Sequence, residues 1–366
     1  MEQKTIVLLT PTTGNGGIAS WSRKYLKQFV SETFRLIPVN RAAPQSAAFH
    51  NSLLHRIWVG LKELLVVLRY LRQTVHNHDV AIIHATTSGS IGTVRDFLVT
   101  FHSYHGNSRL ILQNRYGCIA EDMQRSVYGR FLRYTMARYD QVWVLDSRSE
   151  ACLKKYASLK DKVYLVPNCI DVNPMLQIPP KSYRNFAFIA NLIPEKGLFE
   201  LVEAFLQRKD DAKFSIVGSG SAEVEKRLRG LAQPKLNKTI YLFGQLANEE
   251  AMRFMQTIDV VVLPTYMPQE AFPISILEAM SLGKLVISTR RAAIGDMLTA
   301  LDGSPCGIFV RERSVEDIVA AIDYCISHPA DVDLLCKKAH QKVCRCYATE
   351  VVYKLYEERY KELTEV

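Results

Sequence analysis

The segment 265–289, TYMPQEAFPISILEAMSLGKLVIST, predicts the fold of the chain from its local pattern. An apolar run at residues 260–263 comes directly before it, and a second apolar run at residues 285–288 closes it. The loop between them is bracketed by prolines, and a helix is predicted after Pro273. A strand, a loop, a helix and a second strand in this order form a βαβ unit of a parallel sheet.

The same alternation of apolar runs and amphipathic helical segments continues along the whole chain. The predicted strands are residues 5–10, 35–38, 80–84, 109–113, 141–145 and 163–166 in the first half, and 186–190, 214–217, 240–243, 260–263, 285–288 and 307–310 in the second. Continuous runs such as TIVLL and VAIIH are typical of strands covered by helices on both faces. Two successive βαβα series predict an α/β fold of two doubly wound, Rossmann-like domains facing a central crevice.

A chain of 366 residues suits two domains of ordinary size. The proline-rich interval 171–183, DVNPMLQIPPKSY, is the predicted linker. We therefore predict a first domain over residues 1–172 and a second over residues 173–349. The helical C-terminal segment 350–366 is predicted to pack back on the first domain.

The net charge of +9 is not distributed evenly. Residues 1–180 carry 22 Lys and Arg against 12 Asp and Glu, whereas residues 181–366 carry 24 against 25. The whole excess, +10 against −1, lies in the first half. This asymmetry indicates a negatively charged partner for that half: an anionic membrane surface, a phosphorylated lipid or nucleic acid.

Several classes of protein do not fit the composition. The eight cysteines follow no disulfide or metal spacing, and the nearest to a cluster, Cys336 with Cys344 and Cys346, lies in a charged helical tail. The start MEQKTIVLLTP lacks the features of a signal peptide, and no apolar run reaches the 18 residues of a membrane span. These features predict a cytoplasmic location.

The segment 51–78 has apolar residues at helical spacing, with arginines and lysines on the rest of the helix. One interpretation is a long helix packed on the sheet. The other is a helix face that also rests on an anionic membrane, with Trp58 and the basic side chains at headgroup level. Both interpretations are compatible with the pattern.

Three loops follow predicted strands and precede predicted helices. In TPTTGNGGIASW, glycines 14, 16 and 17 precede a helix predicted near Ile18, where backbone N–H groups can approach a phosphate or sugar. In FSIVGSGSAEVEKRL, the third glycine of a dinucleotide fingerprint is replaced by Glu223, which argues against a dehydrogenase.

The third loop is the segment quoted first. The N–H groups of Ile274 and Ser275 at a helix start can meet an anion, Glu270 precedes them, and Glu278 lies one turn inside the helix. Two carboxylates around such a helix terminus suit a ligand with phosphates in its middle and hydroxyls at both ends, such as a nucleotide sugar. From spacing alone, two surface glutamates at an ordinary helix start remain an alternative.

The segment resembles the Glu-x7-Glu signature of family 4 glycosyltransferases, which are retaining enzymes of the two-Rossmann-domain (GT-B) fold. The resemblance lies in EAFP and EAMSLGKLV, and it continues in IANLIPEKGLFELVEAF, FSIVGSG, IYLFGQL, DVVVLPT and GIFVRERSVEDIVAAI. It covers residues 160–330 well. In the first half of the chain it rests on the first glycine loop and on YLVPNCID.

The resemblance implies roles for individual residues. Glu270 would contact the donor-sugar hydroxyls and Lys196, in PEKG, the donor diphosphate; both are the predicted catalytic residues. The predicted donor-binding residues are Glu278, which would hold the ribose diol, and Phe272, Ile274, Ser275, Gly218, Asn191, Gly16 and Gly17. Asn114 and Arg115 would lie on the acceptor side. The resemblance implies neither a metal nor a cofactor.

Some positions depart from the family pattern. Asn191 stands where the family usually has an arginine, five residues before Lys196. Arg290 or Arg291 would substitute for that charge, or else they are surface or acceptor-site residues. The stretch ILQNRYGCIAED has no histidine where the family often has one. His84, predicted to end the third strand, is interpreted as structural.

Together these features predict a retaining glycosyltransferase that moves a sugar from a nucleoside diphosphate to an acceptor hydroxyl. The expected acceptor is a lipid-linked glycan at the inner membrane face, as in the synthesis of bacterial lipopolysaccharide and capsule. Its partners would be the nucleotide sugar, that glycan and an anionic membrane surface, and not nucleic acid. The alternatives are a nucleotide-sugar epimerase on the same fold and a non-catalytic partner protein that binds a sugar nucleotide.

Overall fold

The computed structural model describes residues 3–14, 17–40, 53–90, 92–176 and 182–365, with the side chains of residues 53–57 and 59 outside the description. This part of the chain forms two compact units, one of residues 1–166 with 353–366 and the other of residues 167–352. The sequence predicts the boundary at residue 172 and the start of the C-terminal helix at residue 350.

Each unit has one six-stranded parallel sheet. The strands of the first are β1 (Lys4–Thr10), β2 (Phe34–Asn40), β3 (Val80–Thr87), β4 (Arg109–Asn114), β5 (Gln141–Val144) and β6 (Val163–Leu165). The strands of the second are β7 (Asn185–Ile189), β8 (Lys213–Val217), β9 (Ile240–Gly244), β10 (Val260–Leu263), β11 (Leu285–Ser288) and β12 (Ile308–Phe309). All twelve predicted strands are confirmed: two have the predicted bounds, and the ends of the others differ by at most three residues.

Helices connect the strands in both units. In the first part of the chain they are α1 (Gly17–Gln28), α2 (Leu53–Asn77), α3 (Gly92–Val99), α4 (His102–His105), α5 (Ile119–Gln124), α6 (Tyr128–Ala137) and α7 (Ser147–Lys154). They continue with α8 (Leu198–Gln207), α9 (Ala222–Ala232), α10 (Asn248–Thr257), α11 (Ile274–Ser281), α12 (Ile294–Met297), α13 (Val315–Ser327), α14 (Pro329–Lys342) and α15 (Thr349–Thr364). A 3₁₀ turn spans Pro194–Lys196, and a π-helical turn spans Val343–Tyr347.

The strand order explains where ligands can bind. The first sheet has the order β2-β1-β3-β4-β5-β6, and the second β12-β11-β10-β7-β8-β9. In the second sheet, β7 and β10 are neighbours. From β7 the chain continues to β8 and β9 on one side, and from β10 it continues to β11 and β12 on the other side, as in the Rossmann order. The predicted α/β fold with two doubly wound parallel sheets is confirmed.

The central strands are buried on both faces. In β10 all four residues are buried, and in β3 seven of the eight are, with only Ala81 half-exposed. This burial accounts for the uninterrupted apolar runs of the sequence, because helices cover both faces of a parallel sheet. None of the described helices combines the length and the apolar content of a bilayer span.

Two details of the sequence interpretation change. β3 continues to Thr87, so His84 lies inside the strand rather than at its end. The predicted linker 171–183 falls partly outside the described residues, at positions 177–181. All eight cysteines are free thiols.

Candidate functional site

The candidate site lies at the carboxyl edge of the second sheet, where the strand order reverses. Residues 190–197 follow β7, and residues 264–273 follow β10. Doubly wound sheets bind ligands at such a switch point, because the two loops diverge there and leave a crevice. The predicted catalytic residues, Lys196 and Glu270, lie one on each loop.

The two loops are joined by backbone and side-chain contacts. The Tyr266 backbone N–H donates to the Glu195 carbonyl oxygen over 2.8 Å. Lys196 Nζ lies 3.1 Å from Glu270 Oε2. The structure thus brings together the two residues that the sequence analysis assigned to catalysis, although they are 74 positions apart.

Gly197 allows the loops to approach this closely. Its φ is +77°, and a Cβ atom there would lie 2.4 Å from the Pro264 carbonyl oxygen. Only glycine adopts this backbone conformation without strain and leaves that space free. The turn that ends at Gly197 presents Lys196 towards the β10 loop.

The Lys196–Glu270 pair is largely shielded from water. The side chains are 15% and 11% exposed, respectively. The two groups form an ion pair whose geometry is not that of a hydrogen bond. Glu270 Oε2 is buried and has no hydrogen-bond donor among the described residues. Glu270 therefore keeps the capacity to accept a hydrogen bond from a hydroxyl group.

Helix α11 begins directly after this loop, as predicted. Pro273 is its N-cap and has no side-chain acceptor, so no N-cap side chain binds the first-turn N–H groups. Ile274, Ser275 and Glu278 form the one face of α11 that reaches solvent, whereas Phe272 is buried before the helix. A helix start of this kind favours an anion, since partial positive charge accumulates there.

A third segment, which follows β11, fixes the Glu270 loop. Its hydrogen bonds run from Thr289 Oγ1 to Thr265 O (2.6 Å), from Arg291 Nε to Met267 O (2.8 Å) and from Ala293 N to Ala271 O (3.0 Å). Met267 O also accepts from the Glu270 N–H, and Arg291 Nη1 forms a 3.0 Å ion pair with Glu312. Arg291 therefore braces the loop, a role that the sequence analysis missed.

Arg290 has a different environment from its neighbour. Its side chain is exposed, and the guanidinium carbon lies 3.7 Å from the centroid of the Phe309 ring. This stacked position agrees with the interpretation of Arg290 as a surface residue.

Tyr266 lies in the same loop as Glu270, and its side chain contacts two charged residues from other segments. Arg313 lies over its ring at 4.5 Å from the centroid, and burial together with the nearby Glu200 carboxylate raises the pKa of the Tyr266 hydroxyl. These three residues come from three separate segments, so no local motif could have grouped them.

Asn191 and Gly218 lie at the neighbouring strand ends. Asn191 is exposed in the loop after β7. Gly218 follows β8 with a φ of +148°, and a Cβ there would lie 1.9 Å from the Ala190 carbonyl oxygen. Gly218 thus has a structural reason to be glycine, and its predicted contact with the donor stays a prediction.

The glycine loop of the first unit is described only in part. Gly16 lies outside the described residues, and Gly17 begins α1 with open space where a Cβ would stand. Arg23 Nη1 donates to the carbonyl oxygens of Thr12 (3.3 Å) and Gly14 (2.9 Å), which holds the loop against the helix.

The two residues assigned to the acceptor side are buried in the first unit. Asn114 ends β4, is fully buried and donates from Nδ2 to the Trp143 carbonyl oxygen over 3.3 Å. The Arg115 guanidinium stacks on the Trp21 ring at 3.8 Å from its centroid. Both side chains are thus buried, and their contact with an acceptor stays a prediction.

His84 belongs to a buried polar cluster in the same unit. Its Nδ1 lies 2.8 Å from the hydroxyl of Tyr360 on α15, and that hydroxyl lies 2.8 Å from the hydroxyl of Tyr25. Burial, with a smaller contribution from the Arg115 charge, lowers the pKa of His84 to about 3. This environment supports the structural interpretation of His84.

The resemblance implies no metal ion at the site. Within the described residues no group of three or more His, Cys, Asp or Glu side chains is placed to hold a metal ion.

Comparison with known proteins agrees with this geometry. Residues 177–343, which include Lys196, Glu270 and Glu278, match the family model described as Glycosyl transferases group 1. The putative teichuronic acid biosynthesis glycosyltransferase TuaC of Bacillus subtilis (strain 168) is 27% identical over 39% of this chain and 33% of its own. The N,N'-diacetylbacillosaminyl-diphospho-undecaprenol alpha-1,3-N-acetylgalactosaminyltransferase of Campylobacter jejuni is 28% identical over 36% of this chain and 32% of its own. The chain thus spans about a third of the length of these two relatives.

Solved structures extend the likeness to both units. Anabaena HepE, solved in complex with UDP-glucose, superposes with a TM-score of 0.73 over 98% of this chain and 99% of its own, at 15% identity. At that identity the likeness concerns the fold, which is the GT-B fold of two Rossmann-like domains.

Proposed function

We propose that this protein, whose second unit contains a glycosyl transferases group 1 domain, transfers a sugar from a nucleoside diphosphate to an acceptor hydroxyl. The observation that carries the proposal is the placement of Lys196 and Glu270 together at the switch point, beside the uncapped start of α11. This arrangement offers a cation and free N–H groups for a diphosphate and a carboxylate for sugar hydroxyls. HepE, which shares the fold, binds a donor of this class.

The chemistry follows from where charge develops. In the transfer, the bond between the anomeric carbon and the diphosphate oxygen breaks, and the acceptor oxygen forms a bond to that carbon and loses its proton. The departing diphosphate gains negative charge, which Lys196 and the N-terminus of α11 stabilise more in the transition state than in the ground state. Glu270 accepts hydrogen bonds from the sugar hydroxyls, and Glu278 from the ribose diol.

The proposal includes finer features of the reaction. We infer retention of the anomeric configuration, because the spacing of Glu270 and Glu278 resembles that of retaining family 4 enzymes. The proposed acceptor is a lipid-linked glycan of bacterial surface polysaccharide synthesis, reached at the cytoplasmic face of an anionic membrane. The biosynthetic role in the name of TuaC and the diphospho-undecaprenol in the name of the Campylobacter relative support this acceptor class.

Incubation with radiolabelled donor sugars and a membrane fraction tests the activity. A thermal-shift screen across UDP- and GDP-sugars first selects the donor. Label in the lipid fraction supports the proposal, a changed sugar on the nucleotide supports an epimerase, and donor binding without turnover supports a non-catalytic partner. Because Lys196 supplies the cation, we expect turnover to persist in the presence of EDTA.

Matched variants test the site itself. Lys196→Met should lower kcat by about 10²–10³-fold, the usual effect of removing one group that stabilises transition-state charge. Lys209→Met, which changes an exposed lysine of the same unit, should leave kcat unchanged. Glu278→Gln should raise the donor KM. An unaltered kcat/KM in both site variants would contradict the assignment.

A further inference from the structure

Helix α2 in the first unit exposes an unusual number of large apolar side chains. Five of them are at least half exposed: Trp58 (60%), Leu61 (54%), Leu65 (64%), Val66 (59%) and Tyr70 (55%). Among the described residues, no other helix or strand exposes more than one. Single exposed apolar residues are ordinary, but a group of this size on one element indicates an interaction surface.

The five side chains lie on one side of α2. At about 100° per residue, positions 58 to 70 of this set fall within roughly half of the helix circumference. The opposite side packs into the core of the first unit through Leu64, Leu68 and Leu71. The helix thus has an inner apolar face that the fold uses and an outer apolar face that it leaves in water.

The outer face is basic as well as apolar. Lys62, Arg69 and Arg72 are exposed on the same side, and Lys62 Nζ lies 5.5 Å from the centroid of the Trp58 ring. The one acidic residue of α2, Glu63, lies at the margin of this face and is half-buried. The outer face of α2 therefore combines apolar side chains with cations and lacks an exposed acid.

A shallow pocket of about 490 Å³ adjoins the C-terminal end of this face. It is lined by Arg72 and His76 of α2 and by His102 and Gly106 on the α4 side, with no Asp or Glu among its lining residues. Its size and its basic lining suit an anionic headgroup.

We propose that the outer face of α2 docks the first unit on an anionic phospholipid bilayer. Trp58 and Tyr70 would lie at the level of the headgroups, Leu61 and Leu65 would enter the acyl boundary, and the lysine and arginines would meet the lipid phosphates. This inference extends the proposed function and rests on it in one respect: the proposed acceptor lies in the bilayer on which α2 docks. Docking itself needs neither donor nor turnover.

Charge complementarity selects a bilayer over a protein partner. The excess positive charge of the chain lies entirely in the half that contains α2. A stripe of aliphatic and aromatic side chains with interspersed cations matches the order of a membrane interface, in which phosphates lie above hydrocarbon.

Co-sedimentation of the full chain with vesicles tests the proposal. We expect binding to vesicles of equal parts of phosphatidylglycerol and phosphatidylcholine, weak binding to phosphatidylcholine alone, and weaker binding as salt is raised. Trp58→Ser with Leu65→Ser should weaken binding at least about tenfold, because both side chains lose their burial. Lys62→Gln with Arg69→Gln should weaken it by about fivefold for each charge removed.

Matched variants in the second unit serve as controls. Leu334→Ser alters a side chain that is as exposed as Leu61, and Lys226→Gln with Lys337→Gln removes two exposed cations. These should bind vesicles as the unaltered chain does, and circular dichroism should show every variant folded. Equal binding of the α2 variants and the controls would overturn the proposal.

A second copy of the chain is the alternative occupant of this face. Light scattering distinguishes the two occupants. If the unaltered chain is a dimer, if Trp58→Ser with Leu65→Ser converts it to a monomer, and if neither form binds vesicles, the membrane assignment is overturned. Donor-induced thermal shifts are measured in parallel. If the chain binds vesicles but no nucleotide sugar, the proposed function is contradicted and the docking surface is still supported.

Discussion

At the scale of single residues, the Lys196–Glu270 pair determines the charge balance of the site in the absence of a ligand. Each charge is held in a largely dry position, where an unpaired ion costs more than it does at an exposed surface. Each partner thus stabilises the other, and in the proposed reaction a diphosphate would replace Glu270 as the partner of Lys196. The pair holds the lysine cation at the carboxyl edge of the sheet without leaving its charge uncompensated.

Removal of one partner should therefore destabilise the second unit. We expect Lys196→Met to lower its stability by about 2 kcal/mol, between the values for exposed and fully buried pairs. Adding Glu270→Gln should restore most of the lost stability, because a neutral amide replaces the carboxylate that Lys196→Met leaves unpaired. Urea unfolding measures both.

The double variant also separates structure from chemistry. Its stability should return, but its turnover should not, since neither the cation nor the carboxylate is present. A double variant no more stable than Lys196→Met would show that the 3.1 Å contact contributes nothing.

Arg291 acts on the site through the Glu270 loop rather than through a ligand. Arg291→Gln should lower kcat about tenfold with little change in the donor KM, because a modest displacement of a positioned group is costly. Steady-state kinetics measure the split between kcat and KM. Arg291→Lys should restore only part of the rate, since lysine lacks the planar fork that reaches Met267 and Glu312 together.

The adjacent Arg290 provides the control for this prediction. Arg290→Gln removes the same charge one position away, from a side chain that stacks on Phe309. Equal losses in the two variants would indicate a general effect of charge and would contradict the bracing role.

The position of a residue could be predicted where one short segment contains the pattern, whereas its role stays a prediction. Glu270, Glu278 and the start of α11 lie within nine positions, so their spacing and the local prolines place them. The role of Arg291 depends on a carbonyl oxygen 24 positions away, and the partnership of Lys196 on a glutamate 74 positions away. Only the resemblance to a family indicated Lys196, because no local pattern shows which loops meet.

At the scale of elements, the site depends on two loops that approach more closely than side chains normally permit. Gly197 meets the Pro264 carbonyl oxygen at the point where both loops leave the sheet. Gly218 has the same relation to the Ala190 carbonyl oxygen. Glycines thus set the spacing between the loops that follow β7, β8 and β10.

Gly197→Ala should both strain the backbone and push the two loops apart. Gly244→Ala is a suitable control, because Gly244 has a similar φ of +70° but no atom near its added Cβ. We expect the control to cost about 1 kcal/mol from strain alone, and Gly197→Ala to cost at least twice as much. Thermal unfolding measures both, and equal losses would mean that the clash with Pro264 is relieved without effect.

Elements were predicted more reliably than contacts. The apolar runs located all twelve strands, because helices cover both faces of the sheets and leave no polar alternation to interrupt the runs. The end of β3 was placed too early, since Ala85, Thr86 and Thr87 continue the strand with less apolar side chains. The threonines are buried nonetheless, and Thr86 lies 2.9 Å from Thr10 by their hydroxyl oxygens.

At the scale of the whole molecule, the chain begins and ends in the same unit. Helix α15 returns to the first unit from Tyr353 onwards and fills its core with tyrosines. Tyr360 joins the hydroxyl of Tyr25 to His84, and Tyr356 accepts a 2.7 Å hydrogen bond from Gln113 Nε2. The last helix is therefore part of the folded first unit and not an appendage.

This cluster makes the stability of the first unit depend on pH. The pKa of His84 is about 3 in the folded chain against an ordinary value of 6.5, so the unfolded chain binds a proton that the folded chain excludes. The contribution of His84 to stability is complete above pH 6.5 and should fall by about 1.4 kcal/mol per pH unit between pH 6.5 and the folded pKa of about 3. Denaturant unfolding of His84→Gln should show a shallower decline between about pH 6 and pH 4, because glutamine cannot be protonated there. His78→Gln, at an exposed histidine, should keep the full slope, and equal slopes in all three proteins would show that His84 is not the group that titrates.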